Sequence, residues 1–434
     1  MSTGHDLALL GGTPVAGAAP AWTWPPIDQD DARVLGEMAL RGELSYYGRE
    51  GCVRDLEDRF AEYIGVPHAL ATTSGTTALH SAYFGLGLGP GDEVLAPTYT
   101  FLATVMPLFV VNTVPVLVDA DPHTGNIDPA DIERHITART RAIVVTHVWG
   151  NPVDMPAVMD IADRHGLRVI EDCSHAHGAK CAGRKVGSFG DVAVFSLQGK
   201  KLVAAGQGGL MLTRHREVFE RAVLLGHFKV RAEQQVHSPA YRPYVETGFG
   251  LNYRMHPLAG AIALRQFDRL EEYIAGRRHN FDYLTAELAD LPGVRPPAAG
   301  AHVDRQVYYS YKPRYRPEEL DGLPVDVFVA ALRAEGVPVE RYRAVPLHQE
   351  RIFQDPSPPL LSHGDPQRFA GGADRRVYRT GDLPQSEAYA ADLLSLPAYT
   401  EPDRALMDRF AAGFRKVSRQ YRALHEYSAV SAER

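Results

Sequence analysis

The stretch Arg168-Val169-Ile170-Glu171-Asp172-Cys173-Ser174-His175-Ala176-His177-Gly178-Ala179 decides the fold class. It begins as a short β-branched run, 168–171, and passes into two acidic residues before small residues and histidines follow. A carboxylate at the end of a buried strand is costly unless it meets a cation. Similar runs lie at 93–97, 114–119, 142–147, 192–195 and 209–212, with helical patterns at 129–136 and 155–165 between several of them. This alternation predicts an α/β domain on a largely parallel, buried sheet that takes up ligands at the carboxyl ends of its strands. Two helices precede the alternation: one over 53–64, with Leu56, Phe60 and Ile64 at helical spacing, and one over Gly75–Gly85.

Outward from this core the pattern changes. Residues 16–29, rich in Pro, Ala and Trp, read as an irregular arm. Near Arg265 a long helix is expected, with Phe267, Leu270, Ile274, Phe281, Leu284 and Leu288 along one face. Beyond it a second, α+β unit is expected from a Tyr-rich strand at 307–312 and helices at 325–335 and 404–421, with a long loop over 355–381. The expected divisions are an arm at 1–35, a large α/β domain at 36–265, and the linking helix with a smaller domain at 266–434.

With 434 residues, 45% of them hydrophobic, the chain can fill a sizeable core. Its formal net charge of -7 argues against a polynucleotide partner. Residues 1–25 show no basic stretch followed by an apolar run, and no segment approaches the roughly twenty apolar residues that span a bilayer. Three cysteines, Cys52, Cys173 and Cys181, suit a reducing compartment, so a cytoplasmic location without membrane partners is expected.

Four separated segments carry chemistry. Thr73-Ser74-Gly75-Thr76-Thr77 places small residues at a helix start, where free N–H groups and hydroxyls can hold a phosphate; the same residues are also ordinary helix caps. In the second segment Asp172 could face a protonated pyridine nitrogen, while Glu171 or Asp172 could equally cap the next element or pair with an arginine. Cys173, His175, His177 and Cys181 resemble metal ligands in type, but they fall in one short stretch rather than in two close pairs, so no metal is expected. The third segment, Phe195-Ser196-Leu197-Gln198-Gly199-Lys200-Lys201, leads to Gly206-Gln207-Gly208-Gly209. A lysine just past a buried strand can be desolvated into a nucleophilic amine, and Lys200 and Lys201 compete for that role. Neither a phosphate-binding P-loop nor a dinucleotide fingerprint fits these glycines. The fourth segment is Gly250-Leu251-Asn252-Tyr253-Arg254-Met255.

Taken together, these segments resemble the DegT/StrS-type aminotransferases of sugars and cyclitols, over most of the chain from Trp24 to about Ala423. The resemblance implies a fold-type I transferase dependent on pyridoxal 5'-phosphate (PLP), with a large, mainly parallel seven-stranded α/β domain and a smaller C-terminal α+β domain. In that family the cofactor lysine lies five residues before a Gly-Glu-Gly-Gly run and six after the Phe of a Phe-Ser pair, which selects Lys201 as the internal Schiff-base residue. It further implies that Ser74, Gly75, Thr76 and Ser196 surround the phosphate and that Phe101 stacks on the ring. Asp172 would meet the pyridine nitrogen and His175 the phenolic side. Asn252 would reach the phosphate of a neighbouring subunit, so a homodimer with shared active sites is implied. Gln207 departs from the family's usual Glu, and the 228–244 insertion is longer than in many members.

The expected activity moves an amino group from L-glutamate or L-glutamine to a keto-cyclitol or keto-sugar. Tyr309, in Tyr308-Tyr309-Ser310-Tyr311, and His348, in Pro346-Leu347-His348, are candidate substrate residues, since both can bond ring hydroxyls; the tyrosines could equally be alternating strand residues of the second domain. Local similarity to aminoglycoside-pathway enzymes favours a free keto-cyclitol over a nucleotide-linked sugar. Competing readings are a PLP-dependent dehydratase or aromatising enzyme of the aminohydroxybenzoate synthase type, and a non-catalytic binding protein that keeps the fold.

Overall fold

The computed structural model of the protein describes residues 6–361, 365, 366 and 376–432. Its large sheet has seven strands: β1 (His68–Thr72), β2 (Glu93–Pro97), β3 (Val114–Val118), β4 (Thr140–Thr146), β5 (Arg168–Asp172), β6 (Val192–Ser196) and β7 (Gly209–Thr213). Their order is β1-β7-β6-β5-β4-β2-β3. All pairings from β6 to β3 are parallel, and β7 runs antiparallel to both β6 and β1. The β-branched runs are explained by burial on both faces. Within β5, Val169 joins one apolar layer and Ile170 the other, and in β4 Val145 and Val144 divide in the same way.

On one face lie α2 (Gly51–Ile64) and α5 (Pro257–Asp268); on the other lie α3 (Gly75–Gly85) and α4 (Arg216–Gly226). α2 ends at Gly65 in the left-handed region, φ 83°, where a glycine is unstrained. A second core gathers α6 (Leu270–Leu288), α7 (Val325–Ala334) and α8 (Arg404–Arg419) with a four-stranded antiparallel sheet. That sheet is made of β8 (Val294–Arg295), β9 (Arg314–Tyr315), β10 (Glu340–Tyr342) and β11 (Leu393–Ser395), in the order β8-β9-β11-β10. The arm joins this core through Leu7 and Ala16, and the buried Glu335 carboxylate accepts from the N–H groups of Ala8 and Val15. Among the described residues no helix is long and apolar enough to cross a membrane.

Three expectations need correction. The helix near Arg265 is two helices, α5 and α6, because the chain turns at Arg269, whose guanidinium is drawn to Asp28 and Asp31 at the start of α1 (Gln29–Leu40). The Tyr-rich segment 307–312 is not a strand: Tyr308 has φ 47°, which breaks the alternation, and only Tyr311 forms an isolated bridge, with Leu396. The third helix ends at Arg419 rather than running to 421, and a further one follows at Tyr421–Ala432. Of the loop expected over 355–381, residues 362–364 and 367–375 lie outside the described residues.

Residues 228–244 are tied to α2 and β1 through a buried charge cluster. Arg231, 3% exposed, donates to the fully buried Glu57 of α2 (2.6 Å), whose carboxylate also accepts from Arg49 Nε (3.0 Å) and from the Ala71 N–H of β1 (2.7 Å). Glu57→Ala therefore leaves a buried cation and a strand amide unpaired, and the expected loss in unfolding free energy is about 3–5 kcal/mol. Urea denaturation followed by circular dichroism measures it; a loss below about 1 kcal/mol contradicts the assignment.

Candidate active site

The carboxyl ends of β4, β5 and β6 open into a cavity of about 820 Å³, closed on its far side by the segment that follows β10. Ser74, Gly75, Thr76, Phe101, Asp172, His175, Ser196, Lys201 and Tyr309 all line it, together with Gln207. Residues from six separate stretches of sequence thus meet in one place.

Each is held by its element. Ser74 caps α3: its Oγ accepts from the Thr77 N–H (3.1 Å) and its own N–H donates to Thr77 Oγ1 (3.0 Å). The capping role is therefore present, and it orients the helix start so that Gly75 and Thr76 occupy its first two positions, whose N–H groups have no carbonyl within the helix. Gly75 is required for the approach to β6, since a Cβ there would stand 2.7 Å from Ser196 Cβ. Asp172, 4% exposed, accepts from Thr104 Oγ1 (2.7 Å) at one oxygen and from the Ser174 N–H (3.1 Å) at the other. Thr104 is in turn bonded to Thr100 (2.9 Å), and Thr100 to Thr146 (3.0 Å), so the carboxylate sits on a braced hydroxyl network.

The two lysines separate clearly. Lys200 is exposed, whereas Lys201 lines the cavity with its Nζ 4.6 Å from the Tyr309 ring centroid. Burial pushes the Lys201 amine down to about 8, against the opposing pull of Asp172. Facing it is a stack of aromatic planes: His175 lies 4.2 Å from Tyr309 at 8°, and Trp149 lies 5.4 Å from His175 at 14°. Burial, with the Lys201 charge second, pushes His175 well below its ordinary range, so its ring is neutral; its Nδ1 is shut from solvent and has no hydrogen-bond partner among the described residues.

Two sequence candidates fall elsewhere. His348 does not line the cavity, which corrects the expectation of a substrate contact: it is fully buried, with Nδ1 bonded to Thr98 Oγ1 (2.9 Å) and Nε2 to Glu387 (2.8 Å). Asn252 is exposed, and its Oδ1 accepts from the Arg254 N–H (3.3 Å); within this chain it does not reach the cavity. Of the expected tyrosines only Tyr309 enters, because the turn at Tyr308 sends Tyr308 and Tyr311 into the second core.

Sequence reading missed Trp149, Tyr99 and Tyr342, which complete the wall. Trp149 stands three residues past the end of β4 at Thr146 and is held with φ 57°, its indole N–H donating to Tyr99 OH (3.1 Å). An aromatic residue just past a strand's carboxyl end was the available signal. Of Cys173, His175, His177 and Cys181, the structure brings only Cys173 into a group of close ligand atoms, with His147 and Glu171. The hydrogen bonds there are already committed. Glu171 accepts from the amides of Gly187, Phe189 and Gly190, and His147 Nδ1 accepts from the Val153 N–H. His177 lies among Phe60 and Phe195, and burial pushes it down to about 3.

Comparison with known proteins agrees with this arrangement. The model of the DegT/DnrJ/EryC1/StrS aminotransferase family matches residues 26–361. The L-glutamine:2-deoxy-scyllo-inosose aminotransferase of Streptoalloteichus tenebrarius is 38% identical over 383 residues, 84% of this chain and 88% of that one. The GDP-perosamine synthase of Caulobacter vibrioides is 34% identical over 395 residues, 91% and 96% of the two chains. Among solved structures, DesI in the presence of its TDP-sugar product superposes with a TM-score of 0.77 at 30% identity, over 98% of this chain and 99% of that one. The family match spans β1 to β7 and every residue that lines the cavity, and on this ground the chain belongs to the DegT/DnrJ/EryC1/StrS aminotransferase family.

Proposed function

We propose that this chain is a PLP-dependent aminotransferase that passes an amino group from L-glutamine or L-glutamate to a keto-cyclitol, in the cytoplasm and as a homodimer. The observation that carries the reading is Lys201: a desolvated amine inside a cavity that also holds a braced buried carboxylate, Asp172.

The residues present fit the cofactor. Gly75 leaves room against Ser196 that any Cβ would fill, and His175, which lines the cavity, carries a buried Nδ1 without a hydrogen-bond partner among the described residues. Gly75 and Thr76, with the hydroxyls of Ser74 and Ser196, would hold the phosphate. Phe101 would cover the ring, His175 would meet its phenolic side, and Asp172 would keep its nitrogen protonated. When bound, PLP supplies an electron sink for the pair left as the donor's Cα–H bond breaks. Lys201 supplies the amine that holds the cofactor and, once displaced, takes that proton from Cα as general base and returns one as general acid. The Trp149, Tyr309 and His175 planes keep water from the amine and offer flat faces to the C–H side of a polyhydroxylated ring. Asn252 would act in the partner subunit's cavity; the exposed Phe249 and Leu251 beside it favour burial against a second copy.

Borohydride reduction followed by peptide mapping should place the phosphopyridoxyl group on Lys201. Lys201→Ala should lose it together with all transamination, and Lys200→Ala should keep both. Because the Lys201 amine is neutral above about 8, capture of PLP by the cofactor-free protein should speed up as pH rises through that value and then level off. Label on Lys200, or a rate that falls with rising pH, contradicts the reading.

Asp172→Asn should still bind PLP but lower kcat by about 10²–10³-fold, since an amide cannot stabilise the ring cation. Near-normal turnover would remove Asp172 from this role.

For the acceptor, a panel of free keto-cyclitols and nucleotide-linked keto-sugars, with nitrogen in the product followed by mass spectrometry, should show faster amination of the keto-cyclitols. The cyclitol preference rests on the Streptoalloteichus relative, while the GDP-perosamine synthase and DesI support the nucleotide-linked alternative. Turnover of nucleotide-linked sugars alone overturns the preference. A product without nitrogen favours the dehydrating alternative.

A further inference from the structure

Lys201 belongs to no helix or strand; it sits in the 197–208 turn between β6 and β7, so its backbone depends on individual hydrogen bonds. Its N–H donates to the Gln198 carbonyl (2.7 Å). Its own carbonyl accepts from the indole Nε1 of Trp24 (3.0 Å), a residue of the N-terminal arm 177 positions upstream.

Trp24 is itself tightly fixed. Its ring meets Tyr273 edge-on at 4.9 Å, and the Arg277 guanidinium stands 4.5 Å from its centroid. Arg277 is 1% exposed and has no carboxylate partner among the described residues. Its Nη1 donates instead to the carbonyls of Tyr308 (3.0 Å) and Tyr309 (3.3 Å). Tyr309 carries the ring over which Lys201 Nζ stands. One indole thus joins the peptide of the lysine to the wall that its amine faces.

We infer that Trp24 is a positioning residue for Lys201: its N–H fixes the peptide plane after the lysine, and its contact with Arg277 holds Tyr309 in register with the amine. The inference rests on the reading of Lys201 as the amine that binds the cofactor. A long, flexible side chain magnifies a small rotation of its backbone, and a displacement of about 1 Å at a reacting atom can lower a rate by on the order of 10²-fold. The arm supplies a matching internal control. Trp22 makes the same kind of bond, Nε1 to the Ala398 carbonyl (3.1 Å), but to the second core rather than to the lysine turn.

The test compares Trp24→Phe, Trp22→Phe and a protein carrying benzothienylalanine at position 24, which keeps the shape of the indole but lacks the N–H. Three measurements are made on the whole chain: steady-state kinetics for kcat and acceptor KM, the pH midpoint of the visible absorbance of the PLP-loaded form, and the rate at which the cofactor-free form captures PLP on Lys201. Both position-24 variants should lower kcat roughly tenfold, the scale of one lost hydrogen bond, with acceptor KM unchanged, the midpoint shifted and capture slowed. Trp22→Phe should leave all three as they are. Should Trp24→Phe fail to fold, the benzothienyl protein decides. Wild-type kcat and midpoint in that protein, or an equal loss in Trp22→Phe, overturns the inference. Label on a residue other than Lys201 in the unsubstituted protein instead overturns the underlying reading, and the inference with it.

Discussion

Glu171 commits its carboxylate to the amides of Gly187, Phe189 and Gly190 and to His147, all within a fully buried pocket behind β5. Burial alone would raise its pKa; the His147 hydrogen bond and the amides outweigh this and hold it below the usual carboxylate range. The charge is therefore retained and fully satisfied. Because successive strand residues face opposite sides, fixing Glu171 behind the sheet sends Asp172 to the cavity. A slip of one residue would exchange the two carboxylates and leave one without its donors. The register of β5, and with it the geometry of every group that meets Asp172, rests on this saturated carboxylate.

The polar floor faces an aromatic wall that carries its own strain. Trp149 is held at φ 57° and ψ 13°, a conformation costing of order 1–3 kcal/mol for a bulky residue. Its indole bond to Tyr99 and its place beside His175 and Tyr309 offset that cost. Behind the wall Lys312 stands 3.7 Å from the Tyr342 ring and 4.6 Å from Trp149, donating to Ser395 Oγ (2.7 Å), and burial pushes it down to about 7. Two amines against the rings of this wall, Lys201 over Tyr309 and Lys312 over Tyr342 and Trp149, are thus both pushed below the ordinary lysine range by burial.

Much of this was legible in the sequence because strands buried on both faces leave short, mostly apolar runs, such as Val114–Val118 of β3 and Val192–Ser196 of β6. Lys201 was separable from Lys200 only by its spacing from Phe195 and Gly206; their different exposure is a tertiary property. What failed did so for identifiable reasons. The apolar periodicity across 265–288 is continuous, but the break at Arg269 is imposed by Asp28 and Asp31, more than two hundred residues away in sequence. Tyr308 and Tyr309 look equivalent in the sequence until a left-handed backbone turn sends them to different cores. His348 resembles a ligand until Glu387 and Thr98 are folded onto both ring nitrogens. Trp149 escaped notice because its place just past a strand's end is a weak signal by itself, and its partners come from the loops after β2 and β5 and from the second core.

The antiparallel course of β7 has a consequence for how the chain can assemble. A parallel neighbour would have required a crossover through a helix, whereas β7 returns beside β6 after only the short turn 197–208. Pairing β7 with β1 instead closes the far longer stretch 73–208, and chain statistics make that closure more costly by about 2 kcal/mol. The β6–β7 pairing around the lysine turn is thus a low-contact-order element that can form from nearby chain, while the Trp24 bond to Lys201 and the helix start at Ser74 reach it only through long-range closure.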